Sequence, residues 1–486
     1  MFQGTASNVG KSIISAGICR VLWQDGYRVG PFKSQNMSLN SYIDKYGGEM
    51  GRAQVFQAEA CNLLPRAYMN PILLKPSGNH MSQLIMKGKF IKNISSSDYQ
   101  DLKPDLVGWL DKVYQRYQRD FDIVVLEGAG SPVEININKL DISNMEMARI
   151  ADSPVVLVAD IDRGGVFASI VGTLSLMSDE ERSRVKGVII NKFRGRKDYF
   201  SEGVRLLEDI IKIPVLGVVP YQKLGIDEED GVSEKTYKEA KQVYRKDKLN
   251  VVVLKLDHMS NYTDFNVFEH IEGLELSYIS PDQDLEAFDG QNGKVGPDLL
   301  IIPGSKNTLG DMERLNKSPM RDQILAYSKR GGLIVGLCGG YQMLGQTIRD
   351  DRGLDGSRGK VDGLGLLEVD TVFGSDKITG QVRWNFGHEE GYFFGLENSQ
   401  IEGYETHLGR TYPGPDDNYK IKNGHIMGTY CHGIFDSAGF LSGLLNNIAK
   451  ARGLARAFEV KDYRAIKNEE YNKLADLIRE NVDMEK

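Results

Sequence analysis

Through the first half of the chain, short apolar runs rich in β-branched residues recur. Each ends in a glycine-rich or polar turn and is followed by a stretch of helical period. The runs are "DIVVLEGAG" (122–130), "SPVVLVADIDRGG" (153–165), "VKGVIINKF" (185–193) and "IPVLGVVPY" (213–221). Each has the length of a buried strand and closes on residues able to contact a ligand. Strands alternating with helices predict a parallel sheet covered on both faces. In such sheets ligands gather beyond the carboxyl ends of the strands. Near the start, "KSIISAGICRVLWQDG" (11–26) places Ile14, Ile18, Val21 and Leu22 at helical spacing, with Gly26 as a stop.

Residues 226–248, "IDEEDGVSEKTYKEAKQVYRKDK", are charged and lack a strong apolar face, so they read as a linker, partly helical. A second α/β series follows in "LNVVVLKL" (249–256), "PDLLIIPGSKNT" (297–308) and "GGLIVGLCGG" (331–340), and "GHIMGTYCHGIFD" (424–436) leads into a helix-rich end. The expected organisation is a first domain over 1–228, a linker over 229–248 and a second domain over 249–486 with a helical C-terminal end. No internal repeat or long low-complexity segment interrupts this pattern.

Composition changes the picture little. A chain of 486 residues is too long for one typical core, and 41% hydrophobic with 26% charged residues is ordinary for a soluble globular protein. The net charge of −7 argues against a nucleic-acid surface as the main function, while leaving room for a local basic pocket around an acidic small molecule. The four cysteines, Cys19, Cys61, Cys338 and Cys431, form no CxxC pair, which fits a reducing cytosol and offers no zinc spacing. The start "MFQGTASN" carries no signal-peptide pattern, and no apolar run is long enough to span a bilayer. A cytoplasmic protein with no membrane partner is expected.

Two stretches carry candidate chemistry. In "GTASNVGKS" (4–12), backbone N–H groups ahead of a helix can converge on phosphate oxygens. Lys11 would neutralise outer phosphate charge, Ser12 would hold magnesium, and Gly10 allows close approach. The usual P-loop spacing wants glycine where Thr5 stands, so this is a variant loop. Glu127, closing the strand of "DIVVLEGAG", is placed as a magnesium ligand, against the alternative of a solvated strand-end carboxylate. Asn191 in "INKF" is a weaker candidate for reading the base. Met1, Phe2 and Gln3 alone precede Gly4, so either the first strand is unusually short or the true start lies upstream.

The second stretch, "LIVGLCGGYQMLG" (333–345), reads as strand, abrupt turn and helix. Cys338 on such a turn is a candidate nucleophile, the alternative being a small core residue. The Gly339 N–H would face an oxyanion, with a second donor from the Gly304 backbone in "IIPGSKNT", and the helix N-terminus favours the thiolate. The base would be His432 in "GTYCHGIFD", with His407 in "YETHLGRT" as competitor and Cys431 read as packing.

With these residues in view, the chain resembles the cobyric acid synthase family, in the CobB/CobQ group of glutamine-dependent amidotransferases of cobalamin biosynthesis. The resemblance runs end to end. It rests on the order and spacing of "QGTASNVGKS", "PFKSQNMSLNS" (31–41), "GRAQVFQAEA" (51–60), "MNPILLKP" (69–76), "LEGAGSPVEIN" (126–136), "DIDRGGVFAS" (160–169), "NKFRG" (191–195), "GLCGGYQMLG" and "YETHLGRT".

The resemblance implies a P-loop synthetase domain similar to dethiobiotin synthetase, followed by a class I glutamine amidotransferase domain of flavodoxin-like α/β fold. It implies ATP, Mg²⁺, glutamine as nitrogen donor, and a corrinoid acceptor, adenosylcobyrinic acid a,c-diamide, amidated at four carboxylates to give cobyric acid. Cys338 would then form a thioester, His432 would act as its base, and Lys33, Gln35 and Asn36 would face the acyl phosphate. Asp160 and Asp162 could assist, or be solvated strand ends. The wider glutaminase class places a glutamate two residues after the histidine, where this chain has Ile434; the orienting group is therefore open, and Asp436 is a poor candidate. "SQNMSLNS" speaks against cobyrinic acid a,c-diamide synthase, whose loop reads more like "PFKVGPDYID". The lipid II isoglutaminyl-forming amidotransferase splits its two activities between chains. A P-loop nucleotide switch would leave Cys338 and the second domain without purpose.

Overall fold

A computed structural model of the chain describes all residues except 79–80, 136–140, 226–243, 289–293, 388–389, 415–417 and 486. The first unit is built on the predicted parallel strands. Phe2–Gly4, Val155–Asp160, Val185–Phe193 and Val215–Pro220 are adjacent in that order. A further parallel pair, Val29–Phe32 with Ile123–Leu126, joins the sheet through a bridge between Phe2 and Glu127. Phe2–Gly4 is only three residues long yet lies inside the sheet, in register with Val156–Val158. Its brevity fits its neighbours: Thr5 N–H extends the pairing to Val158 O, and the loop then turns into helix Lys11–Gln24.

Residues 72–117 add an element that the apolar pattern did not announce. Antiparallel strands Ile72–Gly78, Met81–Met86 and Lys89–Ser95 pair beside Gln35–Met37, and helix Ser96–Tyr117 packs against them. The Ser95 side chain caps that helix by accepting from Asp98 N–H.

The second unit is a mostly parallel six-stranded sheet in the order Leu274–Ile279, Leu249–Leu254, Leu299–Ile302, Leu333–Leu337, Ile426–Thr429, Tyr419–Lys422, with the last strand antiparallel. Its five parallel strands follow the flavodoxin-like 2-1-3-4-5 order, so a crevice opens at the carboxyl ends of the central strands. The fold is therefore the predicted pair of α/β units. A separate sheet carries two long strands, Asp370–Asn385 and Gln400–Tyr412, which reach the first unit through Lys377, Thr379, Gln381 and Tyr404. Most of the predicted linker, 229–243, lies outside the described residues.

The chain then crosses back. Helix Tyr463–Asn481 lies on helix Lys11–Gln24, where Leu474, Ala475 and Ile478 join the core formed by Ile14, Ile18 and Val21. A Cβ on Gly17 would sit 2.5 Å from Ile478 Cγ1, so glycine permits the approach of the two helices. Lys467 pairs with Glu59 at 2.7 Å, Arg20 donates to Asn468 and Asn472, and Val482 bridges to the edge strand at Gly217.

Candidate active sites

The loop between Gly4 and Lys11 ends on Gly10, whose φ of 91° lies in the left-handed region. A Cβ there would fall 2.1 Å from Asn191 Nδ2. Asn191 donates that amide to Val9 O at 2.9 Å, so in the structure it holds the loop. Lys11 Nζ curls into the loop and donates to Ala6 O (3.0 Å) and Gly130 O (3.2 Å). Lys192 Nζ braces the same loop at Asn8 O and pairs with Asp160, while Asp162 pairs with Arg194. Asp160 and Asp162 are thus tied to neighbouring cations.

Glu127 is buried at the end of its strand. It accepts from Ser12 Oγ at 2.9 Å and Lys33 Nζ at 2.9 Å on one oxygen, and from Gln57 Nε2 on the other. Gln57 was not foreseen, since nothing in "GRAQVFQAEA" distinguishes it from a helix-surface glutamine. The Ser12 and Glu127 oxygens form a hard-donor pair of the kind magnesium takes alongside phosphate and water. Among the described residues no cluster of three or more His, Cys, Asp or Glu could cage a metal. A cavity of about 610 Å³ runs from Lys11 and Glu127 past Lys33, Gln35 and Asn36 toward the antiparallel strands and helix Ser96–Tyr117.

In the second unit, strand Leu333–Leu337 ends on Cys338, at φ 49° and ψ −104°, a sparsely populated conformation held by Cys338 N–H donating to Thr429 O at 2.8 Å. The following turn has no room for side chains: a Cβ on Gly340 would lie 1.9 Å from Ile302 O. Gly339 opens helix Gly339–Leu344, and Gly304 pairs with Ser260 in a short ladder where an added Cβ would be 3.5 Å from His432 Cε1. Both predicted oxyanion glycines therefore border the site.

The His432 ring neighbours Cys338, whose Sγ donates to Thr406 O at 3.8 Å, and His432 Nδ1 lies 2.7 Å from Asp264 Oδ2. The other Asp264 oxygen accepts from Gly433 N–H at 3.0 Å, and both side chains are 2% exposed. Burial would lower the His432 pKa, but the Asp264 charge and hydrogen bond, with Cys338, carry it up to about 9. The competitor His407 is engaged elsewhere: its Nδ1 contacts Gly409 O at 2.7 Å and its ring stacks on Tyr430. Burial pushes the Cys431 thiol up, as fits a packing residue. Asp264, in "NYTDFNVFEH", carries no sequence signal because it meets His432 across 168 positions.

The two sites meet through Tyr404. Its ring stacks on His432 at 5.2 Å, and Tyr404 and His432 exchange backbone hydrogen bonds. Its hydroxyl accepts from Arg52 Nη2 (2.8 Å) and Asn261 Nδ2 (2.9 Å) and donates to Ser41 O (3.2 Å), using its full capacity. Arg52 opens the helix that carries Gln57. Beside this contact Glu49 is buried between Lys75 and Lys377, each at 2.5 Å. Burial opposes its ionisation, but the two ammonium groups hold it well below the usual carboxylate range.

Comparison with known proteins fits this arrangement. Residues 1–231 match the CobQ/CobB/MinD/ParA nucleotide binding domain and residues 250–440 the CobB/CobQ-like glutamine amidotransferase domain. A cobyric acid synthase of Clostridium botulinum is 46% identical, with all of this chain and 97% of the relative covered. One of Alkaliphilus metalliredigens is 44% identical, covering 100% and 98%. Among solved structures, PurLQS from Thermotoga maritima is 18% identical with a TM-score of 0.30, over 42% of this chain and 99% of that one. No described helix is long and apolar enough to cross a membrane. The chain belongs to the cobyric acid synthase family, glutamine-hydrolysing amidotransferases with a nucleotide-binding domain ahead of the glutaminase.

Proposed function

We propose that the protein amidates four peripheral carboxylates of adenosylcobyrinic acid a,c-diamide, using ATP and glutamine, to give cobyric acid. The observation that carries this reading is the presence in one chain of a phosphate loop closed on Glu127 and a Cys338–His432–Asp264 row, joined through Tyr404.

The Cys338 thiolate attacks the glutamine side-chain carbonyl, and the Gly339 and Gly304 N–H groups receive the oxyanion. Protonated His432 passes its proton to the departing ammonia, and then serves as base for the water that hydrolyses the thioester to glutamate. Asp264 holds the imidazole in the tautomer that presents Nε2 to sulfur. In the first unit the acceptor carboxylate attacks the γ-phosphorus of ATP and ADP departs. Ammonia adds to the acyl carbon and phosphate leaves with the carboxyl oxygen. Lys11 and Lys33 offset charge on the transferred group, while Gln35 and Asn36 face it. Ser12 and Glu127 would hold Mg²⁺, which when bound neutralises phosphate charge. Thr5, paired to Val158, sets the loop's exit from the sheet, and Asn191 shapes the loop beside the nucleotide.

The test is mass spectrometry of the corrinoid after incubation with protein, Mg-ATP and amide-labelled glutamine. Four labelled nitrogens are expected with wild type. They should be lost in Cys338→Ala, and amidation restored there by free ammonia. ATP turnover without label on the corrinoid would move the reading to another acceptor acid.

A further inference from the structure

The cavity beyond Lys33 is closed by a wall that phosphate binding does not require: strands Ile72–Gly78, Met81–Met86 and Lys89–Ser95, and the start of helix Ser96–Tyr117. Its lining is mixed. Met37, Leu74, Ile94 and Tyr99 give an apolar surface, with Met37 60% exposed, and Lys103 gives a cation.

Five lysines are buried among the described residues. Lys11 donates to two carbonyls, and Lys33, Lys75 and Lys467 pair with Glu127, Glu49 and Glu59. Lys103 differs. It is 8% exposed, and among the described residues no carboxylate or carbonyl lies within hydrogen-bond or ion-pair distance of it. Its neighbours are the Tyr99 ring, 6.0 Å from Nζ, and Asp141 acting at longer range. Asp141 is itself engaged by Asn144 Nδ2 (2.7 Å) and Ser143 N–H (3.0 Å). A buried ammonium with no carboxylate in direct contact is costly, and it is retained where an anion is to be met. Tyr99 links this end of the cavity to the phosphate end by donating to Gln35 Oε1 at 2.5 Å.

We propose that Lys103 binds a peripheral carboxylate of the acceptor, a large amphiphilic polycarboxylate, whose apolar body rests on Met37, Leu74, Ile94 and Tyr99. This rests on the amidation reading above. The ion pair orients the acceptor so that a different carboxylate reaches the phosphate loop.

The test is steady-state amidation of the corrinoid a,c-diamide with ammonium as nitrogen source, in wild type, Lys103→Met and Lys103→Arg. Loss of a charge-assisted contact should raise the acceptor KM of Lys103→Met roughly 10- to 100-fold. Lys103→Arg should recover part of it, and ATP KM and glutaminase rate should stay within 2-fold, roughly the spread of ordinary surface changes. A corrinoid whose peripheral carboxylates are all amides, used as competitive inhibitor, should bind wild type and Lys103→Met alike. The melting temperature of Lys103→Met should not fall, because no partner is left behind. An unchanged acceptor KM in a variant of an active enzyme overturns the assignment alone, as does a parallel loss of affinity for the neutral corrinoid. A wild type that leaves the corrinoid unamidated overturns it together with the amidation reading.

Discussion

Replacing Asp264 by asparagine exchanges one carboxylate oxygen for an NH₂ group at a contact of 2.7 Å to His432 Nδ1 and keeps the shape of the side chain. Two effects follow. The amide can donate to Nδ1, which moves the imidazole proton to Nε2 and aims N–H, not a lone pair, at Cys338. The anion that holds the imidazolium is also gone. At 1.36 kcal/mol per pKa unit, the step from the ordinary 6.5 to about 9 corresponds to roughly 3 kcal/mol of differential stabilisation of the charged form. Losing most of it, with the wrong tautomer, should lower glutaminase kcat/KM on the order of 10³-fold. The upper limb of the pH profile reports loss of the imidazolium; it should lie near pH 9 in wild type and at lower pH in the variant. Because the folded pKa is raised, His432 contributes stability that is full below about pH 6.5 and is lost as pH rises through about 9. The assay is glutamate release over a pH series, beside amidation driven by ammonium chloride, which should be unchanged. Retention of glutaminase activity within a factor of a few (roughly the spread of neutral substitutions), or equal loss of the ammonium-driven reaction, would refute the role given to Asp264.

Three further outcomes are expected. Tyr404→Phe removes the hydroxyl shared by Arg52, Asn261 and Ser41; taking that hydrogen-bond partner away costs about 1–3 kcal/mol. Glutamine-driven amidation should fall about 10-fold, with more glutamate released per ATP used, while ammonium-driven amidation persists. Gly340→Ala places a methyl group 1.9 Å from Ile302 O, so the turn must open; a melting-temperature loss equivalent to about 1–3 kcal/mol is expected, with Cys338 no longer rapidly alkylated. Deleting residues 463–486 uncovers Ile14, Ile18 and Val21 on the phosphate-loop helix; nucleotide binding measured by calorimetry should be lost although every loop residue remains.

What could be read in the sequence was what is local. The strand ending in Cys338, the glycines around it and the loop into Lys11 are encoded within a dozen residues each, and the structure places them as those residues dictate. The choice of His432 over His407 rested on position after an apolar run, and the fold separates the two by turning His407 onto Tyr430. Asp264, Gln57 and Tyr404 were illegible because their roles arise from contacts between distant segments. The sheet over 72–95 escaped notice for a different reason. Pro76 and Gly78 lie within one strand, and Lys89–Ile94 is mostly exposed, with its apolar residues broken up by Lys92 and Asn93, so no long apolar run marks it. Lys103 could not be singled out among the charged positions of a surface-facing helix.

The returning helix Tyr463–Asn481 bears on how the protein is made. A ribosome delivers residues in order, so the phosphate-loop unit must wait, with one flank of its helix Lys11–Gln24 bare, until the whole glutaminase has been synthesised. Of the two units, the one translated earlier is thus completed later. A gene split between the two family segments would part that unit from its own final piece, so in this chain the two chemistries are inherited together.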